Sequence, residues 1–494
     1  MTSPEFRNIP SFREYLDILA EVGDIVYIDD ELNTNLEVGA AIRYCAENEY
    51  SAPLFSNFER RYKSRILGNP AGLTKIGYRW QRPLLSLGID VWEHPLTAVR
   101  KMASVRKREG IKSTIVTEAC VQDHVLLGDD ANLDDFPIPL IHDGDGGRYA
   151  NTWGTIVVQS PDGQWTNWSI ARVMKAGPHK MAGMLRPAQD VGKIHAMWKE
   201  LGQDMPFAIV QGCAPDIPFV CAMGLPSGHS EVDYIGALRG KPVQVVNCKT
   251  VPLTVPADAE VVIEGTVSNT ETLPEGPMGE YAGYISGTTR NWPAMSITAI
   301  TYRDDPIWPV VSAGKPVEED HTAIGISYSA ECLHRLTDAG LPVSDVWLQP
   351  ESALNMLIIS VHQDWRSKFY SSSTAVLTRA IASVALQPKV GFWATRVMVV
   401  DSDIDITDLR DVSWAFSTRC HPAYGQLAIE NQHVTPLHVM YKPSELVDGA
   451  TKTAYDCLLG DKETRPISTA FDKNFSEDIK SKIISVVDKS KGVR

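Results

Sequence analysis

Two glutamates stand five residues apart in the segment Glu275-Gly-Pro-Met-Gly-Glu280. The glycines and the proline between them exclude a regular helix, so we predict a shaped loop. Two carboxylates held close together repel each other, which raises the pKa of one of them and lets it keep a proton at neutral pH. Such a group can serve as a general acid. The alternative is a surface turn with two solvated glutamates, because short motifs recur by accident.

A second segment mixes polar and apolar residues in a way that is typical of a strand. It reads Trp165-Thr-Asn-Trp-Ser-Ile-Ala-Arg172. Because side chains alternate along a strand, several of its polar groups are predicted to face one side. Arg172 could bind a carboxylate through two parallel hydrogen bonds. The alternative is an edge-strand arginine whose stem covers apolar neighbours.

The glycine-rich segment His142-Asp-Gly-Asp-Gly-Gly-Arg-Tyr149 lies just upstream of this strand. Its spacing matches neither the dinucleotide fingerprint nor the phosphate-binding loop, so we predict a structural turn. His195 and His229 are predicted to have structural or surface roles, since nothing in their spacing resembles a zinc site.

The elements that must position these residues divide the chain into three predicted domains. Residues 1–113 open with a helix that has a capping box at Ser11 and Glu14. A strand predicted at 25–28, a helix at 36–48 and a basic helix at 99–108 complete a small α/β domain. Residues 114–312 are mostly β, and residues 313–494 return to α/β and end in an amphipathic helix. The predicted fold class is therefore a multidomain α+β or α/β protein. Predicted strands of the central domain are 155–158, 243–246, 260–264 and 295–301.

The composition excludes several classes of function. Lys and Arg number 47 against 61 Asp and Glu, so the net charge of −14 repels nucleic acid and anionic membranes. Eight widely separated cysteines without a C-x-x-C pair indicate reduced thiols. The N-terminus MTSPEFRN lacks the pattern of an export signal, and no apolar stretch reaches the length of a membrane span. We predict a cytoplasmic protein that binds neither nucleic acid nor membrane.

These segments, taken together and in order, resemble the UbiD family of decarboxylases and especially its ferulic acid decarboxylase branch. The similarity runs nearly end to end. It extends to Phe136-Pro-Ile-Pro, to the pair His321-Thr322 and to Trp414-Ala-Phe-Ser-Thr-Arg-Cys420. By this resemblance Arg172 orients a substrate carboxylate, Glu275 is coupled to it, and Glu280 delivers a proton to the carbon that loses CO2. The implied enzyme class is a carboxy-lyase.

The resemblance also implies a fold and a cofactor. A central domain similar to a split β-barrel would hold prenylated FMN (prFMN), supplied by a flavin prenyltransferase. The C-terminal α/β domain would form a homodimer or a higher homo-oligomer. The family positions that touch the cofactor fall on Asn167, Ser169, Ile170, Ala171, Arg172, Gln189, Met223, Glu231 and Lys389.

Two metal ions are implied beside the cofactor phosphate. A divalent ion, Mn²⁺ or Mg²⁺, would take Asn167, Asp190 and Glu231 as ligands. A K⁺ ion would take Glu231 and mainly backbone oxygens of Trp168, Val220, Cys221 and Met223. The chain departs from the family at Asp190, where the usual residue is histidine. Asp190 either coordinates as a carboxylate, or this coordination is lost or taken by water.

The resemblance places the substrate among residues that vary within the family, namely Arg186, Tyr281, Asp320, Ile324, Phe392, Thr395, Thr435 and Leu437. Asp320 stands where cinnamate-type enzymes carry a small residue, and its carboxylate could accept a hydrogen bond from the N–H of pyrrole or indole. Thr435 stands where that branch has a larger aromatic residue. Both favour a heteroaromatic acid such as indole-3-carboxylate or pyrrole-2-carboxylate.

Three alternatives remain open at this point. Arg186 could pair with Asp320, or it could receive a second carboxylate, which would indicate a furan dicarboxylate as substrate. The branch resemblance by itself favours phenylacrylic acids of the cinnamic or ferulic type. Because of the departure at Asp190, a third alternative is a non-catalytic homologue that only binds flavin. Such a protein would not need Arg172 beside two glutamates.

Overall fold

The structure is a computed structural model that describes residues 9–286, 288–460, 466 and 468–490. The first eight residues, on which the predicted absence of an export signal partly rests, lie outside this range. Across the described residues, none of the helices has the length and apolar character that crossing a membrane would require.

The first helix, α1 (Phe12–Glu21), confirms the predicted start of the chain's ordered part. Ser11 caps it, and the side chain of Glu14 accepts from the Ser11 backbone at 2.8 Å, which completes the capping box. Phe12, Tyr15 and Leu19 recur at helical spacing and are buried. The helix ends before Gly23, whose φ of 75° is a conformation that glycine adopts without steric cost.

The N-terminal region forms a small four-stranded sheet flanked by helices. The strand predicted at 25–28 and the helix predicted at 36–48 are confirmed, whereas the basic helix predicted at 99–108 begins and ends three residues earlier. Sheet order is β1-β2-β3-β18, where β18 is a strand of the following region. The elements are β1 (Ile25–Ile28), α2 (Glu37–Glu47), β2 (Ala52–Phe55), β3 (Arg65–Gly68), α3 (Gln81–Ser86) and α4 (Leu96–Val105).

The central region is built on a curled nine-stranded sheet. Its elements are β4 (Thr114–Ile115), β5 (His124–Leu127), β6 (Tyr149–Asn151), β7 (Thr155–Gln159), β8 (Thr166–Ile170), β9 (Val173–Lys175), β10 (Lys180–Gly183), α5 (Asp190–Glu200), β11 (Met205–Gln211), α6 (Asp216–Cys221), α7 (Glu231–Arg239), β12 (Gln244–Asn247), β13 (Thr254–Pro256), β14 (Val261–Glu275), β15 (Met278–Gly279), β16 (Ile285–Ser286), β17 (Arg290–Tyr302) and β18 (Ile307–Val310). The strand order is β6-β9-β10-β17-β14-β11-β7-β8, and β5 also pairs with β17.

The strand β14 is much longer than the sequence predicted. It continues from residue 264 to Glu275 because it pairs antiparallel with β17, and Glu275 lies opposite Arg290 at the end of that ladder. The sequence did not predict the outer half of this strand because its residues are polar, and an exposed hairpin carries no continuous apolar pattern. The extension carries Glu275 out of the sheet core and into the loop that ends at Glu280.

The C-terminal region is a five-stranded sheet with helices, as predicted. Its elements are α8 (Glu319–Asp338), β19 (Val343–Leu348), β20 (Met356–Val361), α9 (Trp365–Lys368), α10 (Thr374–Ala385), β21 (Arg396–Asp401), α11 (Leu409–Arg419), β22 (Gln426–Gln432), α12 (Glu445–Asp448), β23 (Ala450–Cys457), α13 (Phe471–Asn474) and α14 (Glu477–Ser490). The strand order is β19-β20-β21-β23-β22. The amphipathic helix predicted at the end is α14, and its apolar residues are exposed. The multidomain fold class is confirmed.

Candidate active site

Arg172 joins the two glutamates of the predicted loop. It lies between β8 and β9, and Glu275 ends β14. The Nη2 atom of Arg172 donates to Glu275 Oε2 at 3.1 Å, and its Nε lies 2.9 Å from Glu275 Oε1. The Nη1 atom donates to Glu280 Oε1. One guanidinium therefore bridges both carboxyl groups, and the alternative of solvated surface glutamates is wrong.

Tyr149 fixes the far side of Glu275. Its hydroxyl donates to Glu275 Oε1 at 2.9 Å from the first residue of β6. Burial, followed by the negative charge of Glu275, raises the pKa of this tyrosine, so the hydroxyl keeps its proton and remains a donor. Glu275 is thus held from both sides, and only Glu280 is left with a single strong partner.

The glycine-rich turn braces the same loop from behind. Asp145 accepts from the backbone N–H of His142 at 3.0 Å and from that of Gly279 at 2.7 Å. The backbone N–H of Gly146 donates to the Pro277 carbonyl at 2.7 Å. A side chain at Gly146 would collide with the loop backbone, which explains the glycine there. The segment is a structural turn, as predicted.

The electrostatics of Glu280 suit a proton donor. Burial raises the pKa of its carboxyl above the ordinary value, and the negative charge of Glu275 adds to this effect. The positive charges of Arg172 and Arg186 act in the opposite direction but are outweighed. Glu280 therefore keeps its proton to a higher pH than a solvated glutamate does.

Two polar side chains near Glu280 have no partner. Neither the guanidinium of Arg186 nor the carboxyl of Asp320 makes a hydrogen bond or an ion pair with any described residue, so the predicted Arg186–Asp320 pair is not formed there. Asp320 keeps some accessible surface although protein surrounds most of it. Burial, and next the charge of Glu318, raises its pKa well above the ordinary value. These two groups are available to a ligand.

Aromatic rings form one wall next to Glu280. The ring of Tyr281 packs edge-on against Trp393 with centroids 4.9 Å apart, and Phe392 packs against the same tryptophan at 5.1 Å. Ile324, on α8, belongs to the same apolar cluster, and Leu437 packs against it. The structure thus brings together two of the predicted pocket residues, Tyr281 and Phe392, through a tryptophan that was not predicted. Tyr281 places its buried hydroxyl where no described residue bonds to it.

The two predicted pocket threonines are buried in the C-terminal region, and their hydroxyls are already engaged. Thr395 accepts from Arg396 at 3.0 Å, and Thr435 accepts from the backbone N–H of Leu437 at 3.0 Å. His438, three residues after Thr435, lies 2.8 Å from the Trp393 carbonyl and ties this segment to the aromatic wall. A contact of either threonine with a substrate stays a prediction.

A second cluster gathers around the buried carboxylate of Glu231, at the start of α7. It accepts from Asn167 Nδ2 at 3.2 Å and from the backbone N–H of Trp168 at 2.9 Å. Asn167 Oδ1 in turn accepts from Ser169 at 3.0 Å. Burial raises the pKa of Glu231 to about 8. Burial raises the pKa of the Cys221 thiol, and the charge of Glu231 raises it further.

The carboxylate of Asp190 is held by two lysines, one from its own helix α5 and one from a distant segment of the chain. Lys389 Nζ donates to its Oδ2 at 2.6 Å, and Lys193 Nζ donates to its Oδ1 at 3.0 Å. Ser227 also donates to Oδ1, at 2.7 Å. Burial opposes the charge on Asp190, but these hydrogen bonds outweigh it and lower its pKa. Within the described part of the chain, no group of three His, Cys, Asp or Glu side chains could hold a metal ion.

Three consecutive segments of the chain match the domains of one family. Residues 16–102, 114–316 and 321–457 match the 3-octaprenyl-4-hydroxybenzoate carboxy-lyase N-terminal, Rift-related and C-terminal domains. The chain belongs to the UbiD family. Membership confirms the resemblance seen in the sequence and makes the chain a carboxy-lyase of the UbiD type. The exact boundaries predicted at 113 and 312 stay a prediction.

Individual UbiD relatives agree with this class. Pyrrole-2-carboxylic acid decarboxylase of Pseudomonas aeruginosa is 38% identical over 424 residues, which cover 85% of each chain. Ferulic acid decarboxylase 1 of Saccharomyces cerevisiae is 34% identical over 438 residues, 86% of each chain. An evolved dimeric form of the UbiD-class enzyme HmfF from Pelotomaculum thermopropionicum, solved with prFMN, has a TM-score of 0.78 at 22% identity and covers 95% of this chain and 99% of that one. The structural likeness shows the shared fold.

Sequence reasoning missed several residues of this UbiD site. Tyr149 ends the quoted glycine-rich motif, but a tyrosine in a turn gives no signal of its partner 126 residues away. Trp393 is hidden between two predicted pocket residues. Lys193 stands one helical turn after Asp190, a spacing that could have indicated the ion pair.

Proposed function

We propose that this UbiD carboxy-lyase decarboxylates an N–H heteroaromatic acid, pyrrole-2-carboxylate or indole-3-carboxylate, with Arg172, Glu275 and Glu280 as its catalytic residues. The observation that carries the proposal is the guanidinium of Arg172 held between two carboxylates, one of which has a raised pKa. This is an anion-binding group beside a proton donor, which is what exchange of CO2 for a proton requires.

We propose prFMN as the cofactor. When bound, it would supply an electron sink for the pair released as CO2 leaves. The chain's polar groups fit a flavin along the edge of β8, which pairs only with β7 in the sheet. The N–H of Trp168 points away from β7 and donates to Glu231. N–H groups two residues apart on a strand point the same way, so the N–H of Ile170 also points away from β7 and is available to a ligand at this edge. Ser169, Ala171, Gln189 and Met223 are the other predicted contacts with the cofactor.

The cations predicted beside the cofactor fit unequally. Glu231 is buried and accepts hydrogen bonds only from neutral donors, in line with its raised pKa. A monovalent cation such as K⁺ among Trp168, Val220, Cys221 and Met223 would supply the positive charge that its ionised form needs. The predicted Mn²⁺ or Mg²⁺ fits poorly, because both oxygens of Asp190 already face ammonium groups. No step of the reaction below depends on either ion.

Arg172 and Glu280 divide the reaction between them. The substrate carboxylate binds at Nη1 of Arg172, where it replaces the contact with Glu280, while Glu275 and Tyr149 hold the opposite side of the guanidinium. The bond between the ring carbon and the carboxyl carbon then breaks, and CO2 leaves. The electron pair of the broken bond stays with the ring carbon, and the ring carbon then takes the proton of Glu280. Solvent restores the proton on Glu280 for the next turnover.

Asp320 supports an N–H heteroaromatic ring as substrate. Its carboxyl is partly exposed and has no partner among the described residues, and an oxygen of a carboxyl group can accept from a ring N–H whether or not the group is protonated. A ring N–H that is buried without an acceptor costs binding free energy, so an acceptor at Asp320 favours substrates that carry this N–H. The relative named for pyrrole-2-carboxylic acid, at 38% identity, supports the same class.

We expect Asp320→Ala to damage selectively the turnover of substrates that carry a ring N–H. The value of kcat/KM for pyrrole-2-carboxylate should fall by about ten- to a hundredfold, the cost of an unpaired buried N–H. Furan-2-carboxylate has no N–H, and its kcat/KM should change by less than about threefold, as nothing is left unpaired. Asp320→Asn keeps an acceptor oxygen and serves as the matched control. Equal losses for both acids in a CO2-release assay would contradict the role of Asp320.

A second substrate class is favoured by Arg186. Its guanidinium is half-buried and unpaired among the described residues, so a second carboxylate on the substrate would find a partner there. The class would be a furan dicarboxylate. Turnover of furan-2,5-dicarboxylate well above that of pyrrole-2-carboxylate would establish this alternative in place of the first.

The raised pKa of Glu280 predicts the direction of the pH dependence. The proposed step uses protonated Glu280, so kcat should be constant at low pH and fall by about tenfold per pH unit above its pKa in the complex. Asp320 also has a raised pKa, and the Asp320→Asn variant removes its titration. A falling limb that persists in this variant belongs to Glu280. A kcat that rises through the same range would be incompatible with a protonated donor.

One experiment tests the proposal as a whole. The chain is expressed with a flavin prenyltransferase, the bound chromophore is recorded, and CO2 release is measured with pyrrole-2-, indole-3-, furan- and cinnamic-type acids. We expect a bound prFMN and turnover of the N–H acids. Turnover of cinnamic or ferulic acid alone would favour a phenylacrylic acid decarboxylase, and a bound flavin without any turnover would favour a non-catalytic homologue.

We also propose that the enzyme is a homodimer through its C-terminal region. Helix α14 exposes the residues that the sequence marks as its apolar face, Ile479, Ile483 and Val486. An apolar face on a terminal helix is expected to be covered in the assembled protein.

A further inference from the structure

The position where the family usually has a metal-binding histidine carries a closed ionic network in this chain. Asp190 Oδ1 accepts from Lys193 at 3.0 Å and from Ser227 at 2.7 Å, and Lys193 also donates to Ser227 at 2.8 Å. Asp190 Oδ2 accepts from Lys389 at 2.6 Å. Both oxygens are therefore occupied, and two ammonium groups are held on the two sides of one carboxylate.

This arrangement does not fit a divalent cation. A ligand carboxylate must present a free lone pair to the ion, and ammonium groups within 3.0 Å of each oxygen repel a second positive charge. The other two predicted ligands are also engaged. Asn167 offers its oxygen to Ser169, and Glu231 accepts from Asn167 and from the Trp168 backbone.

The same network fits a phosphate group. Lys193 and Lys389 carry two positive charges against the single negative charge of Asp190, so a positive charge remains for an anion. Both lysine side chains keep accessible surface, at 37% and 23%, so their remaining N–H groups can reach a ligand. Ammonium groups bind phosphate oxygens through charge-assisted hydrogen bonds.

We infer that Asp190 is not a metal ligand but a positioning residue that holds Lys193 and Lys389 at its two oxygens, so that these lysines bind the cofactor phosphate without a divalent metal. The inference rests on the proposed flavin cofactor. Lys193 thereby takes over the charge that the divalent ion is expected to provide in the family.

FMN and riboflavin are the probes for a binding test, since they share the flavin ring and only FMN carries the phosphate. We expect the FMN dissociation constant of the full chain, measured by flavin fluorescence, to change by less than about twofold when EDTA is added. Lys193→Gln should weaken FMN binding on the order of tenfold and leave riboflavin binding unchanged. Lys199→Gln, at an exposed lysine of the same helix, is the matched control.

The metal content of the purified chain provides an independent readout. Elemental analysis should find divalent metal well below one equivalent in the wild type, whereas Asp190→His, which introduces the usual family ligand, should make FMN binding sensitive to EDTA. Wild-type FMN binding that requires Mn²⁺ or Mg²⁺ would overturn the inference and leave the proposed decarboxylase intact. Equal losses of FMN and riboflavin in Lys193→Gln would overturn it too. No FMN binding under any condition would remove both this inference and the proposed cofactor.

Discussion

Glu280→Gln is expected to abolish decarboxylation while the cofactor remains bound. The amide has nearly the same shape as the acid and can still meet Arg172, but it has no acidic proton to give to the ring carbon. Removal of a general acid typically costs on the order of 10²–10⁴ in rate, and kcat for CO2 release should fall by that amount. Exchange of the product's ring hydrogen with deuterated solvent should fall in parallel, because it uses the same proton.

The controls separate loss of the proton from loss of the fold. Glu271→Gln removes an exposed glutamate of the same strand, β14, and should leave kcat unchanged. The absorption spectrum of the bound cofactor should be the same in wild type and Glu280→Gln. Turnover retained within about tenfold in Glu280→Gln would assign the proton donor to another group.

The sequence predicted the local parts of the fold well, since the signals for them are local. The capping box at Ser11 and the apolar run at 25–28 act over a few residues, and the structure has both elements where they were expected. The outer half of β14 was missed because its partner β17 lies further along the chain and its residues are exposed and polar. Long-range pairing decided that element, and no local pattern reports it.

The same distinction applies to the site. Short spacing showed that Glu275 and Glu280 lie on one loop, and only the resemblance connected them to Arg172, 103 and 108 residues earlier. Lys389 meets Asp190 across 199 residues, so the occupation of that carboxylate could not be read from the sequence. Arg186 and Asp320 were assigned to the pocket by family position alone. Their lack of partners is a property of the folded chain.

Arg172→Lys tests the other half of the catalytic group, and we expect it to cost about as much activity as the loss of the proton donor. A lysine keeps the positive charge but cannot bind Glu275 along one edge and a substrate carboxylate at Nη1, because its ammonium group is a single point of contact. Loss of a charge-assisted, bidentate contact costs several kcal/mol, so kcat/KM should fall on the order of 10²- to 10³-fold. CO2 release under steady-state conditions measures it.

The pH profile of Arg172→Lys distinguishes an anion-binding group from a merely structural one. The charge of Arg172 lowers the pKa of Glu280, against the effect of burial. A lysine that pairs with Glu275 leaves the charge of Glu280 less compensated in the free enzyme, so the Glu280 pKa should rise and the falling limb of kcat/KM should move to higher pH. Arg410→Lys, at an exposed arginine of α11, is the control and should change neither quantity. A loss of kcat/KM without a shift of that limb would mean that Arg172 supports the loop but does not act on Glu280, and the proposed division of the reaction between these two residues would fail.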